Sequence, residues 1–114
     1  DKERPGSQSP VVIGEVIRGA IGFDNFLMSD DIGMNALGGG FDERARGVIE
    51  AGTDAVLHCS GDMAEMVAVA SAAGDLSEAG QKRLERAMAS VAGGADRPSY
   101  AELAEKRDRL LALA

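Results

Sequence analysis

The chain has 114 residues, 45% apolar and 27% charged, which is enough for one small domain with a modest core. Its formal net charge of −7 argues against nonspecific binding to nucleic acid or to an anionic membrane surface, since both depend on Lys and Arg neutralising phosphate. The single cysteine, Cys59, excludes an intrachain disulfide and any CxxC metal or redox motif, and suits a reducing compartment.

No apolar run is long enough to cross a bilayer, and no signal peptide is visible. The opening DKERPGSQSP starts at Asp1, is polar, and reads as the middle of a longer protein. Ser9 and Pro10 then make a helix start, a capping hydroxyl followed by proline at the first helical position. Ile13, Val16, Ile17, Ala20 and Ile21 recur at helical spacing and predict one apolar face, with Gly22 as the stop. Residues 25–29, NFLMS, predict a short apolar strand. After Gly38, Gly39 and Gly40 a second helix is expected, with Phe41, Ala45, Val48 and Ile49 on one face and Asp42 and Glu43 complementing its dipole. Gly52 ends it, and AVLHC at 55–59 reads as a second strand.

Residues 62–73 predict a third helix, with Met63, Met66, Val67 and Ala70 inward. A fourth is capped by Ser77 and carries a stripe of Leu84, Ala87, Met88 and Val91. Ser99 and Glu102 have capping-box spacing and predict a last helix. With only 3 Phe, 1 Tyr and no Trp, the core must be built from Val, Ile, Leu, Met and Ala.

GFDNFLMSD from Gly22 and GTDAVLHCS from Gly52 share the pattern G-x-D-x-apolar-Leu. Each follows an amphipathic helix, and the spacing is that of a βα repeat unit. Tandem αβ units imply parallel strands with helices outside, and strands apolar throughout suit a sheet buried on both faces. A closed (β/α)8 barrel needs about 250 residues. The expected fold class is therefore α/β, and the sequence looks like the end of a larger α/β protein rather than a whole one.

In such folds chemistry gathers at the C-terminal ends of strands. Asp30 stands directly after the first predicted strand, and Ser60 holds the equivalent place after the second. Position alone leaves two readings of Asp30, a catalytic carboxylate or a turn cap.

VIRGAIGFDNFLMSDDIGMNAL followed by RARGVIEAGTDAVLHC closely resembles the NagZ-type β-N-acetylhexosaminidases of glycoside hydrolase family 3, over most of residues 9–92. By that resemblance, residues 1–92 are expected to be the C-terminal βα units of a (β/α)8 TIM-like barrel, with a linker and helix over 93–114. The resemblance implies that Asp30, the first acid after the serine, is the catalytic nucleophile of a retaining mechanism. Asp31 falls on the second acid of S-D-D, Met34 on the family methionine and Cys59 on the cysteine after the last barrel strand. Asp31, Met34 and Ser60 are then expected around the sugar pocket. Ile32-Gly33 replaces the usual Leu-Ser, Asn25 stands where Gly is common, and Ser60 where Asn is common.

The same resemblance implies release of terminal GlcNAc from a muropeptide or chitobiose-like substrate during cytoplasmic peptidoglycan recycling, with no metal or organic cofactor. The family's acid/base, a histidine on a mobile loop, belongs to an upstream segment absent from these residues. An alternative expectation is a noncatalytic piece that self-associates or docks on the missing half-barrel.

His58 does not match that acid/base motif, and a structural role is the favoured reading. The glycine run lacks a phosphate-loop pattern and reads as a β-to-α connection. Cys59 reads as buried and inert, and His58, Cys59 and Asp62 match no common metal spacing. The Met63/Met66 pair reads as core, and Lys82, Arg83 and Arg86 with Glu78 and Glu85 as a solvated mixed-charge face.

Overall fold

Two short parallel strands, β1 (Met28–Asp31) and β2 (Ala55–Leu57), lie at the centre of the structure, a computed structural model that describes residues 1–91 and 98–112. Helix α1 (Phe41–Glu50) connects them, and α2 (Met63–Ala73), α3 (Glu78–Val91) and α4 (Tyr100–Leu111) follow. A π-helix, Val11–Ala20, precedes β1. The parallel βαβ arrangement is the one the tandem pattern predicts. The expected division at residues 92–93 lies outside the described residues.

β1 begins later than its apolar run. Met28 pairs with Ala55 and Asp31 with Leu57, with an irregularity between them. At this irregularity the Leu57 N–H donates to Ser29 Oγ at 3.0 Å. Asp30 and Asp31 therefore end the strand instead of following it, and β2 stops before His58 and Cys59.

α1 has the predicted phase, with Ala45 and Val48 buried and Phe41 packed beside them. They join Ile32, Leu37 and Val69 in one core. Ile32 and Val48 are fully enclosed, each worth about 2 kcal/mol of apolar burial. α2 turns a different face inward from the one expected. Val69 is buried, whereas Met63, Met66 and Val67 are exposed. MAEMVAVASAA is apolar nearly all round, so its periodicity did not select a face, and packing on α1 did.

The π-helix departs from expectation for a geometric reason. Its i→i+5 bonds, such as Ile21 N–H to the Val16 carbonyl at 2.8 Å, widen the turn, so residues at α-helical spacing drift off one face. Ile13 is buried, while Val16 and Ile21 are exposed. The α3 stripe is likewise uncovered, with Met88 and Val91 exposed and Gly80 the one buried residue of that helix. α4 has its capping box, Ser99 N–H to Glu102 Oε2 at 2.6 Å and Glu102 N–H to Ser99 Oγ at 3.2 Å, and buries nothing.

Of the mixed-charge face of α3, Glu78, Lys82, Glu85 and Arg86 are exposed as expected, and Arg83 alone turns inward. Asp54, its side chain only 3% exposed, takes Arg18 at 2.7 Å on one oxygen and Arg83 at 2.9 Å on the other. The Leu27 N–H also donates to it at 2.8 Å. Asp24 holds Arg83 and Arg86, each at 3.0 Å. The two aspartates of the G-x-D repeat thus pin the π-helix and α3 to the N-terminal ends of the strands. Burial pushes the Asp54 carboxyl up, but the Leu27 N–H and the two guanidiniums outweigh it and leave it below the ordinary aspartate range.

The repeat's glycines are equally specific. Gly22 and Gly52 have φ of +72° and +105°, a region that disfavours any Cβ. Alanine at position 52 would also place its Cβ 3.4 Å from Ile13 Cγ2. Gly52→Ala is expected to cost about 1–2 kcal/mol, read as a lower urea midpoint at unchanged slope.

Candidate functional site

β1 and β2 run parallel, so their C-terminal ends open on one side and present SDD from β1 and HCS from β2. Asp30 is exposed there. Its Oδ1 accepts the Asp31 N–H at 2.8 Å, and its backbone carbonyl accepts the Ser29 hydroxyl at 2.7 Å. The carboxylate is thus fixed by backbone at one oxygen.

Asp31 does different work. Its Oδ1 accepts the Gly33 N–H at 2.9 Å and the Cys59 N–H at 3.3 Å, which ties the turn after β1 to the exit of β2. Met34 sits in that exposed turn, its N–H donating to the Asp31 carbonyl at 3.3 Å. Behind the turn, Arg44 on α1 donates to the Ile32 carbonyl at 2.9 Å and to the Gly39 carbonyl at 3.0 Å. Glu43 accepts the Gly40 N–H at 3.0 Å, so the glycine run serves as the β-to-α connection.

Ser60 joins a cluster that sequence reasoning did not assemble. Its hydroxyl lies 2.8 Å from His58 Nε2 and donates to Glu65 Oε2 at 2.5 Å, while Glu65 Oε2 is 3.0 Å from the same ring nitrogen. Asp62 caps α2 by accepting the Ala64 and Glu65 N–H groups at 2.9 and 3.0 Å, which sets Glu65 against the ring. The capping-box spacing of Asp62 and Glu65 was the available signal, although Glu65 turns to the ring rather than to the cap. Phe41 closes the other side of His58, with ring centroids 4.7 Å apart.

The structure therefore brings Asp31, His58, Ser60 and Glu65 together and leaves Asp30 facing outward beside them. Cys59 is exposed rather than buried, because β2 ends two residues before it. A cavity of about 740 Å³ runs along β2 between Phe26, Val56, Met66, Val69 and Leu76, and its lining includes none of Asp30, Asp31, Met34 or Ser60.

The family model for the glycosyl hydrolase family 3 N terminal domain matches residues 1–93. Among curated proteins, a beta-hexosaminidase of Alkalilimnicola ehrlichii is 45% identical over 58 residues, covering 49% of this chain and 17% of its own length. A beta-hexosaminidase of Nitrosospira multiformis is 37% identical over 84 residues, covering 72% of this chain and 24% of its own. One from Tolumonas auensis is 38% identical over 60 residues, covering 51% and 18%. The chain spans less than a quarter of the length of each of these relatives.

Proposed function

The chain belongs to glycosyl hydrolase family 3, and from that premise we propose that it forms the last βα units of a (β/α)8 barrel in a retaining β-N-acetylglucosaminidase, with Asp30 as nucleophile. The observation that supports this is the exposed Asp30 carboxylate at the C-terminal end of β1, held at one oxygen by the Asp31 N–H. The held oxygen fixes the carboxylate's orientation, and the second oxygen is the one that attacks the anomeric carbon. A glycosyl ester forms on Asp30, the aglycone leaves with a proton from a general acid, and water then hydrolyses the ester.

That acid is assigned to a segment outside these residues. The chain's one imidazole is enclosed by Phe41, Ser60 and Glu65 and is only 5% exposed. Asp31, Met34 and Ser60 are proposed as the pocket rim. A GlcNAc-containing glycan as substrate draws its support from the name of the relatives. The finer assignment, a muropeptide met in the cytoplasm during peptidoglycan recycling, rests on the resemblance of the SDD segment.

A second reading, a piece that works only when docked on the rest of the barrel, is favoured by β1 and β2 pairing only with each other among the described residues. One experiment addresses both. The 114 residues alone are expected to release no 4-nitrophenol from 4-nitrophenyl-GlcNAc, and adding the upstream segment is expected to restore release. Proton NMR of the first sugar formed should show the β-anomer, and an α-anomer appearing first would reject the retaining mechanism.

A further inference from the structure

The cluster behind Asp31 contains a buried nitrogen that is unpaired among the described residues. The His58 side chain is 5% exposed, and its Nδ1 has no hydrogen-bond partner among them. At Nε2 the situation is reversed. The Ser60 hydroxyl gives its proton to Glu65, so the ring hydrogen belongs on Nε2, where it meets the same carboxylate. In the neutral ring Nδ1 is then a bare lone pair. Asp31 Oδ1, an acceptor itself, stands 3.9 Å from it.

We propose that His58 is a positioning residue for Asp31: protonation at Nδ1 makes an imidazolium that ties Asp31 on β1 to Glu65 on α2 and thereby steadies the Asp30 nucleophile. The inference rests on the Asp30 reading above. The proton comes from solvent, and no covalent bond changes. Asp31 is the right target because its own N–H holds Asp30 Oδ1 at 2.8 Å. Its backbone is anchored by its side chain, through the Gly33 and Cys59 N–H groups on Oδ1. A third, charge-assisted donor on that oxygen shortens the 3.9 Å gap and strengthens the anchor.

Carboxylates from two elements face the ring. Asp31 faces it from β1, and Glu65 faces it from α2 with Asp62 capping that helix. From α1 comes the Phe41 ring, with the Arg44 guanidinium 5.2 Å from its centroid. Two carboxylates thus contact the region of the imidazole, while the Arg44 guanidinium of α1 lies over the Phe41 ring. Histidine is the side chain whose ordinary charge change falls between pH 5 and 8, and the test spans that range.

The test uses the complete polypeptide that contains this chain. A fluorinated GlcNAc glycoside that esterifies the nucleophile slowly is followed by intact mass and peptide mapping from pH 5 to 8, for the parent and His58→Gln. Glutamine keeps a neutral donor and cannot take a second proton. The parent is expected to label Asp30 about tenfold faster than the variant at pH 5.5, and within about twofold at pH 8, the size of one charge-assisted hydrogen bond.

A ratio that stays flat across the range, with Asp30 labelled in both proteins, would show that the ring only packs and would overturn the proposal. Label on some other residue would instead reject the nucleophile reading and the positioning role with it. Should His58→Gln fail to fold, Glu65→Gln removes one of the two flanking charges and must give the same loss confined to low pH, or the proposal fails.

Discussion

Replacing Asp30 by asparagine is expected to lower hydrolysis of 4-nitrophenyl-GlcNAc by the complete enzyme on the order of a thousandfold, or about 4 kcal/mol of barrier. The amide is isosteric and its oxygen can still accept the Asp31 N–H, so the geometry persists while the attacking anion is gone. The loss should fall on the chemical step, lowering kcat together with kcat/KM rather than raising KM alone. Because the side chain is exposed and makes no ion pair among the described residues, the unfolding midpoint should not move. Normal turnover by Asp30→Asn would remove the nucleophile assignment.

The second large effect is structural. Asp54→Ala is expected to destabilise the fold by about 3 kcal/mol, since it leaves two guanidiniums and the Leu27 N–H without their shared acceptor. Urea unfolding measures it, and a change below about 0.5 kcal/mol would show that the clamp is ornamental. Its pH dependence has a definite sign. Asp54 titrates below its unfolded value when folded, and so does Asp24, chiefly through its hydrogen bond to Arg83. Groups of this kind stabilise fully above the unfolded aspartate value of about 4, and that stabilisation fades as pH falls through the lower, folded value. The parent should therefore lose stability on acidification below about pH 4, and Asp54→Ala should lose less over the same interval.

How much of this was legible in the sequence depended on contrast and distance along the chain. α1 was readable because Phe41, Ala45 and Val48 alternate with Asp42, Glu43, Arg44 and Arg46, so one face stands out. α2 offered no such contrast, and its inward face was set by α1. The parallel strands followed from the repeat, but the Ser29 hydroxyl that takes the Leu57 N–H leaves no trace in a hydropathy pattern. The ion pairs of Arg83 and Arg86 were not legible because their partners, Asp24 and Asp54, lie 29 to 62 positions away. At the site, the SDD segment announced Asp30 and Asp31, and the resemblance separated them. The contact of Ser60 and Glu65 with His58 required a cap, a strand end and a helix to meet.

The clamp and the core also differ in when they can form. The five core residues all fall between positions 32 and 69, so they meet by closing short loops within one βαβα stretch. The complete clamp must instead gather Arg18, Asp24, Asp54, Arg83 and Arg86 from positions 18 to 86. Loop-closure entropy therefore favours forming the strand–helix kernel before the π-helix and α3 are fastened to it. Strong salt then loosens the exposed Asp24–Arg86 end of that fastening first, because the buried Asp54 pairs are screened much less.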